Sequence, residues 1–442
     1  MTALDPSVAN RGGSTDGKPR ARFTSRGLAR WILLSLHVSM ALAPAADRPG
    51  AQRPASELDH TQYKSTAASG AVAALHTRLE RGEARLDFAA KQGYLLALLR
   101  ELKIPPSSQL LVASKTSPNK AHISPKNPRA LYYNDSVGIA FVPGAELIEV
   151  AAADPKLGVV FYTLEQKEAS QPRLTRDDRC LECHASPKTL NTPGWLVRSF
   201  KTDLEGEVDL LSGIMVTHGT PIHERWGGYY VTGDTGGQPH RGNLFPSSKG
   251  GLREPVAEGG TSLTDLKALL DVDRFIMPSS DVVALLVLEH QVHMMNLLAR
   301  LRMDAEALSE QDDFSRAHPA TENVLRYLLF TEEAALTGQI HGTSGFSAAF
   351  ESLGPRDSRG RSLRQFDLTT RLFKHPCSYM VYSPGMDALP LRARRHLYHR
   401  LWQVLSGEDI TPVFKGLSPE TRNDIREILL ETKKDLPAYW RL

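Results

Sequence analysis

Cys180-Leu181-Glu182-Cys183-His184 is the stretch around which the rest of this chain has to be arranged. Two thiols three positions apart share one helical turn, and a histidine follows at once. That is the spacing of a covalent c-type haem attachment site, in which each thiol adds to a vinyl group of one porphyrin and the imidazole ligates the iron axially. Shuffling this composition, with 3 Cys and 15 His in 442 residues, produces the pattern about once in two thousand chains, so chance is a poor account of it. Two other chemistries use the same residue types. A zinc site built on Cys180, Cys183 and His184 needs a fourth ligand, and no second cysteine pair supplies one. A redox dithiol needs only the two cysteines, but the neighbouring residues lack a thioredoxin-like context. The remaining Cys377, in Lys374-His375-Pro376-Cys377-Ser378-Tyr379, is expected as a small buried apolar residue.

The N-terminus points the same way independently. A polar leader carrying Arg11, Lys18, Arg20, Arg22, Arg26 and Arg30 precedes the 13-residue apolar run Trp31–Ala43 and then Pro44-Ala45-Ala46-Asp47. Residues 1–46 therefore read as a secretory signal cut near Ala45 or Ala46. The apolar run is short for a membrane span, although an uncleaved anchor is the alternative. Export to a periplasm or its equivalent suits the motif, since c-type haem is attached outside the cytoplasm. The leader takes six of the 53 Lys/Arg and two of the 50 Asp/Glu, leaving 47 and 48. A nearly neutral mature chain offers no electrostatic footprint for nucleic acid. No later stretch is expected to span a bilayer.

Periodicity divides the chain into a lead-in with N-terminal helices (47–105), a β-containing region that includes the motif (106–261) and a helical C-terminal region (262–442). Strands are expected at 110–113, 130–133, 137–142, 146–150, 158–162, 195–200, 208–211 and 229–232. Helices are expected within 66–103 and at 281–303, 319–337, 363–374, 387–406 and 418–434. The class is α+β, mainly helical, and unlike a small all-helical carrier in which about 100 residues wrap one haem.

A second axial ligand has to be a His or Met able to face a buried porphyrin, unless the iron stays open. His290 lies in the apolar stripe Val283, Leu286, Val287, Met294, Leu297, Leu301 and is the first candidate, because a histidine there is costly unless bonded or ligated. His240 is the second, in a Gly- and aromatic-rich stretch where Trp226 can stack on a macrocycle and Arg225 and Arg241 can meet its propionates. Met386 in Ser383-Pro384-Gly385-Met386 is the third, although that sequence also fits a helix start.

The attachment motif and the leader together resemble the monohaem c-type cytochromes. The resemblance implies thioether bonds at Cys180 and Cys183, proximal ligation by His184 and one covalent haem c. It covers a small part of the chain and transfers no distal ligand. The expected function is electron transfer with a redox partner protein. The alternative is a haem-dependent oxidoreductase or ligand sensor with an open iron, for which nearly 400 mature residues provide room. Whether the chain is an enzyme is left open by its sequence.

Overall fold

The computed structural model describes residues 60–245, 262–309 and 311–441, all within the second of two units, Arg53–Leu442. The expected signal segment, the lead-in before residue 60 and the Gly/Ser-rich stretch 246–261 lie outside the described residues. Three short helices come first: α1 (His60–Ser65), α2 (Ala71–Glu80) and α3 (Leu95–Glu101). Six antiparallel strands follow in sequence order: β1 (Leu110–Val112), β2 (Arg129–Tyr133), β3 (Val137–Phe141), β4 (Leu147–Asp154), β5 (Gly158–Glu165) and β6 (Thr175–Arg176).

Local turn chemistry fixes the register of this meander. Between β2 and β3, Asn134 Oδ1 accepts from the N–H groups of Ser136 and Val137 at 3.0 and 2.9 Å. Between β4 and β5, Asp154 Oδ1 accepts from Lys156 and Leu157 at 2.8 and 2.9 Å, and Gly158 closes the turn at φ +80°. Asn and Asp bond their own backbone in this way and so start turns where a strand would otherwise continue. With the register set, β4 alternates strictly: Ile148, Val150 and Ala152 enter the core, while Leu147, Glu149, Ala151 and Ala153 turn to the other face. On that second face two cross-strand rows line up, Leu131–Ala140–Glu149–Thr163 and Gly138–Ala151–Phe161. Gly138, Ala140, Ala151 and Ala153 keep it shallow.

Beyond the sheet come α4 (Leu181–His184) and a two-stranded ribbon of β7 (Arg198–Ser199) and β8 (Ile214–Met215). The helical remainder is α5 (Val282–Glu306), α6 (His318–Leu328), α7 (Phe346–Ser352), α8 (Pro384–Asp387), α9 (Leu391–Ser406) and α10 (Pro419–Thr432). Residues from Tyr63 to Trp440 share one contiguous core, so the lead-in helices, the sheet and the C-terminal helices are built around a common interior. The α+β class is as expected.

Several boundaries moved for identifiable reasons. The helix expected over 319–337 stops at Leu328, and two residues later Phe330 takes φ +55°. Residues 363–374 are not helical: Asp367 Oδ1 accepts from Thr369 and Thr370, both at 2.7 Å, and Phe366 bridges to Phe373. A side chain that satisfies its neighbours' N–H groups competes directly with the helix. The strand expected at 195–200 shrinks to β7, and the one expected at 208–211 is reduced to a bridge between Val208 and Thr202 followed by a 3-10 helix, Leu210–Ser212, capped by Asp209.

Helix α5 lies at the centre of this remainder. By length and composition it could cross a membrane, yet 83% of its apolar window is buried inside the protein. Apolar residues on all sides mark a helix wrapped by its own chain, here by α6, α7, α8 and α9. Its N-terminus is fixed by fully buried Asp281. Oδ1 accepts from Val283 and Ala284, and Oδ2 from the Thr343 N–H, the Ser344 N–H and the Ser344 hydroxyl. Replacing this cap removes helix and loop contacts together. Asp281→Ala is expected to lower unfolding stability by about 3 kcal/mol in urea titrations, more than a simple cap loss of about 1 kcal/mol. A change below about 0.5 kcal/mol would show that α5 does not rely on this anchor.

Candidate functional site

The attachment motif is introduced by a cap. Asp177 accepts from the Arg179 N–H at 3.1 Å and pairs with the Arg179 guanidinium at 2.6 Å, starting the 3-10 turn Asp178–Cys180 that runs into α4. The two cysteines are unbonded to each other and differ in setting. Cys183 is exposed, whereas Cys180 is partly buried against the core. Burial pushes the Cys180 thiol up to about 12, and the carboxylates of Asp177 and Glu149 add to the effect. A redox dithiol works through a thiol whose pKa is depressed, so Cys180 is tuned in the opposite sense.

His184 is oriented by backbone. Its Nδ1 lies 2.9 Å from the Gly194 carbonyl oxygen, and the Gly194 N–H returns a bond to the His184 carbonyl at 2.8 Å. A carbonyl only accepts, so Nδ1 carries the proton and Nε2 carries the lone pair that a metal needs. Burial lowers the pKa of this imidazole and Arg129 acts in the same direction, while the Gly194 bond opposes them. The neutral, ligating form is therefore favoured. The ring rests on Phe161, with centroids 4.8 Å apart.

The loop that closes onto His184 is held from α5. Asn296 accepts from the Trp195 N–H at 3.2 Å and donates to the Trp195 carbonyl at 2.9 Å. Any Cβ at position 194 would collide with the Asn296 amide, so only glycine allows this approach. The indole of Trp195 covers Gly138. Gly138 and Phe161 belong to one cross-strand row, so Trp195 and His184 sit side by side on the shallow face of the sheet.

The rim of this region is basic. Arg129, at the start of β2, lies in the field of His184 and 3.9 Å from Glu149. Arg198, on β7, lies in the field of Cys183 and stacks over Phe200 at 4.2 Å. Tyr229 stands within reach of both cations, which oppose a burial that raises its phenol to about 12. Arg129 Nε, Arg198 Nε and Trp195 Nε1 are all buried with no hydrogen-bond partner among the described residues. Such a donor costs about 1–3 kcal/mol and asks for an explanation. No group of three or more His, Cys, Asp or Glu is arranged to hold a metal ion among the described residues, so the zinc alternative gains no further ligand here.

No family model, curated protein or solved structure matches this chain. The reading of the site rests on its own geometry.

The other residues singled out in the sequence are engaged elsewhere. Both ring nitrogens of His290 are occupied: Nδ1 faces His218 Nδ1 at 2.9 Å and Nε2 meets Ser378 Oγ at 2.6 Å. Stacked on Tyr327 and Phe330, it is a bonded core histidine that would have to break one of these bonds to reach a metal. His240 is buried against the edge of Trp226, and its Nδ1 accepts from Gly242 at 3.0 Å. Met386 is fully buried in α8, where Ser383 caps the first turn and Pro384 begins it, so the helix-start reading of that sequence holds. The Arg225 guanidinium is spent on Glu289 at 2.8 Å and on the carbonyls of His218 and Thr220; Trp226 Nε1 donates to the same Glu289 at 2.5 Å. Arg241 is partly exposed and joins this segment through its backbone bond to Arg225. Cys377 is fully buried, as expected.

Thiol accessibility gives a direct check on this arrangement. In chain produced without haem maturation, iodoacetamide should label Cys183 about tenfold faster than Cys180, and Cys377 only after unfolding. Peptide mass spectrometry reads the order, and equal rates for Cys180 and Cys183 would contradict it.

Proposed function

We propose that this chain is an exported c-type cytochrome that holds one covalent haem at Cys180 and Cys183, uses His184 as proximal ligand, and passes electrons to a partner protein. The observation that carries the reading is the setting of His184. An imidazole immediately after the paired thiols donates Nδ1–H to a backbone carbonyl and keeps Nε2 for a metal.

The fit extends to the surroundings. When bound, the group supplies a one-electron iron couple. Attachment requires each thiol to add across a vinyl double bond, sulfur to one carbon and the thiol hydrogen to the other, with no net gain or loss of electrons. A protonated Cys180 keeps its hydrogen for that addition. The hydrogen bond from His184 to Gly194 makes the imidazole a better donor and fixes its plane. Arg129 and Arg198 would be the cations to meet propionates, and their Nε groups, which lack partners among the described residues, would gain them. The shallow row Gly138–Ala151–Phe161 and the indole of Trp195 would shield a group bound to His184 from water on that side.

The test is expression with the native leader in a host that matures c-type haem. Wild-type chain should retain haem on a denaturing gel stained for haem peroxidase activity. Cys180→Ala or Cys183→Ala should reduce that stain severalfold, and the double variant should abolish it. Full retention in the double variant, or no haem on the wild-type chain, sinks the reading.

A further inference from the structure

A cleft of about 510 Å³ lies between α9 and the chain that follows α10, and it shares no residue with the attachment motif or its rim. Clefts of roughly 300–1,000 Å³ are the size that takes small molecules. One wall is a single face of α9, where Leu391, Arg395 and His399 recur every four residues. The other wall is the terminal turn Ala438–Arg441, which brings in Tyr439. The Tyr439 ring stands edge-on to His399 and Trp402, with centroids 5.9 and 5.6 Å away. Those two rings lie only 14° from parallel, so Trp402 backs His399 along the helix.

Among the described residues one carboxylate lines this cleft, and it is already engaged. Asp435 accepts from Tyr398 Oη at 3.1 Å and meets Lys433 at 3.3 Å and Arg394 at 3.6 Å. Three of the four arginines on α9 are committed as well. Arg392 donates to the carbonyls of Ser309 and Asp312, Arg394 to the carbonyl of Asp387, and Arg400 pairs with Glu322 and Asp409. Arg395 is the exception: it is exposed in the cleft wall and meets no carboxylate or carbonyl among the described residues. The Tyr439 hydroxyl is a second unused donor. It is buried and makes no hydrogen bond in good geometry, even with the neighbouring Trp440 indole. A hydroxyl left in that state is costly unless something else reaches it. At the other end of the wall, Leu391 is 53% exposed.

We infer that this cleft binds a small aromatic carboxylate, held at its charged end by Arg395 and the Tyr439 hydroxyl, with its rings lying along His399 and Tyr439 toward Leu391. A guanidinium and a hydroxyl without partners both donate, and a carboxylate has oxygens enough to accept from each. Aromatic side chains and an uncovered leucine on the same wall favour a flat apolar body. An inorganic anion would leave the rings and Leu391 uncovered. A neutral aromatic molecule would leave Arg395 without a counterion, and a cation would be repelled by Arg394 and Arg395. The inference stands apart from the haem reading, because none of these residues takes part in the site around His184.

The experiment titrates the full exported chain by isothermal calorimetry with two probes of one shape, 2-naphthoate and the uncharged 2-naphthamide. Wild type should bind one equivalent of naphthoate, and naphthamide about tenfold more weakly. Arg395→Gln should weaken naphthoate about tenfold and leave naphthamide unchanged, which a merely apolar cleft would not do. Tyr439→Phe keeps the ring and removes the hydroxyl, so it should weaken naphthoate about threefold. The Arg395 variant should also unfold at the wild-type temperature, because its side chain is exposed and makes no contact that the fold depends on. No binding of naphthoate at millimolar concentration, equal affinity for both probes, or an Arg395→Gln variant that binds naphthoate as wild type does would each overturn the assignment. The result is read on chain with or without haem, so loss of the cytochrome reading leaves it standing, and its own failure leaves covalent attachment untouched.

Discussion

The reciprocal pair of hydrogen bonds between His184 and Gly194 is the constraint on which the site depends. Each bond by itself is worth about 1 kcal/mol. Their importance lies in what they join. Gly194 can reach His184 only because it has no side chain, and it stays there because Asn296 on α5 both donates to and accepts from Trp195. An amide side chain is suited to that double role, since it carries both kinds of group. The sheet contributes the floor under His184 and Trp195 through Phe161 and Gly138. Central helix, attachment loop and sheet thus meet at one imidazole, whose plane is set by backbone rather than by loose packing.

A second layer of polar contacts fixes α5 itself. Glu289, His290 and Gln291 are consecutive and buried, and each goes to a different part of the chain. Glu289 takes Arg225 and Trp226, His290 takes His218 and Ser378, and Gln291 bonds the Asn134 carbonyl and the Tyr379 hydroxyl. Successive helix positions point about 100° apart, so three neighbours can engage three directions. Burial raises the Glu289 carboxyl to about 7 even though Arg225 and Trp226 work against it. The same burial drops the His290 imidazole to about 3. Such a layer adds little net stability, because desolvation offsets most of the attraction. Its effect is on register: a shift of α5 by one residue would leave a buried acid, an imidazole and an amide unpaired at once.

The Cys180–His184 cluster and much of the fold were legible in the sequence, but not the rim. Cys180, Cys183 and His184 are adjacent, so their geometry follows from one helical turn. The five strands from 110 to 162 and the long helices α5, α9 and α10 were also readable, because period and turn residues agree there. His290 misled for a physical reason: a histidine in an apolar stripe signals a satisfied partner, and the partner here is His218 and Ser378 rather than a metal. Arg129, Arg198, Gly194 and Asn296 were missed because they lie 51 residues before to 116 residues after Cys180 and are brought together by tertiary structure alone. Only weak signals mark them. Arg129 opens a strand that is otherwise apolar, and Asn296 interrupts the apolar run of α5.

The unpaired rim donors bear on why this site exists. Arg198 has no carboxylate partner among the described residues, whereas Arg129 reaches Glu149 at 3.9 Å and donates from both terminal nitrogens to Thr116, leaving only its Nε without a partner among the described residues. Desolvation lowers the Arg198 pKa, so the cation is held against its preference. The two Nε groups buried without a partner each cost about 1–3 kcal/mol in a fold whose whole stability is of order 10 kcal/mol. Elsewhere this chain spends its buried cations fully: Arg225 makes three bonds, and Arg422 makes four to backbone carbonyls. An anionic group arriving at this rim would give those two Nε donors partners. The proposed porphyrin would bring two vinyl groups for the two thiols and two carboxylates for the two arginines. An inorganic anion would answer the arginines and leave the thiols without a purpose, whereas a metal ion would answer the thiols and be repelled by the arginines.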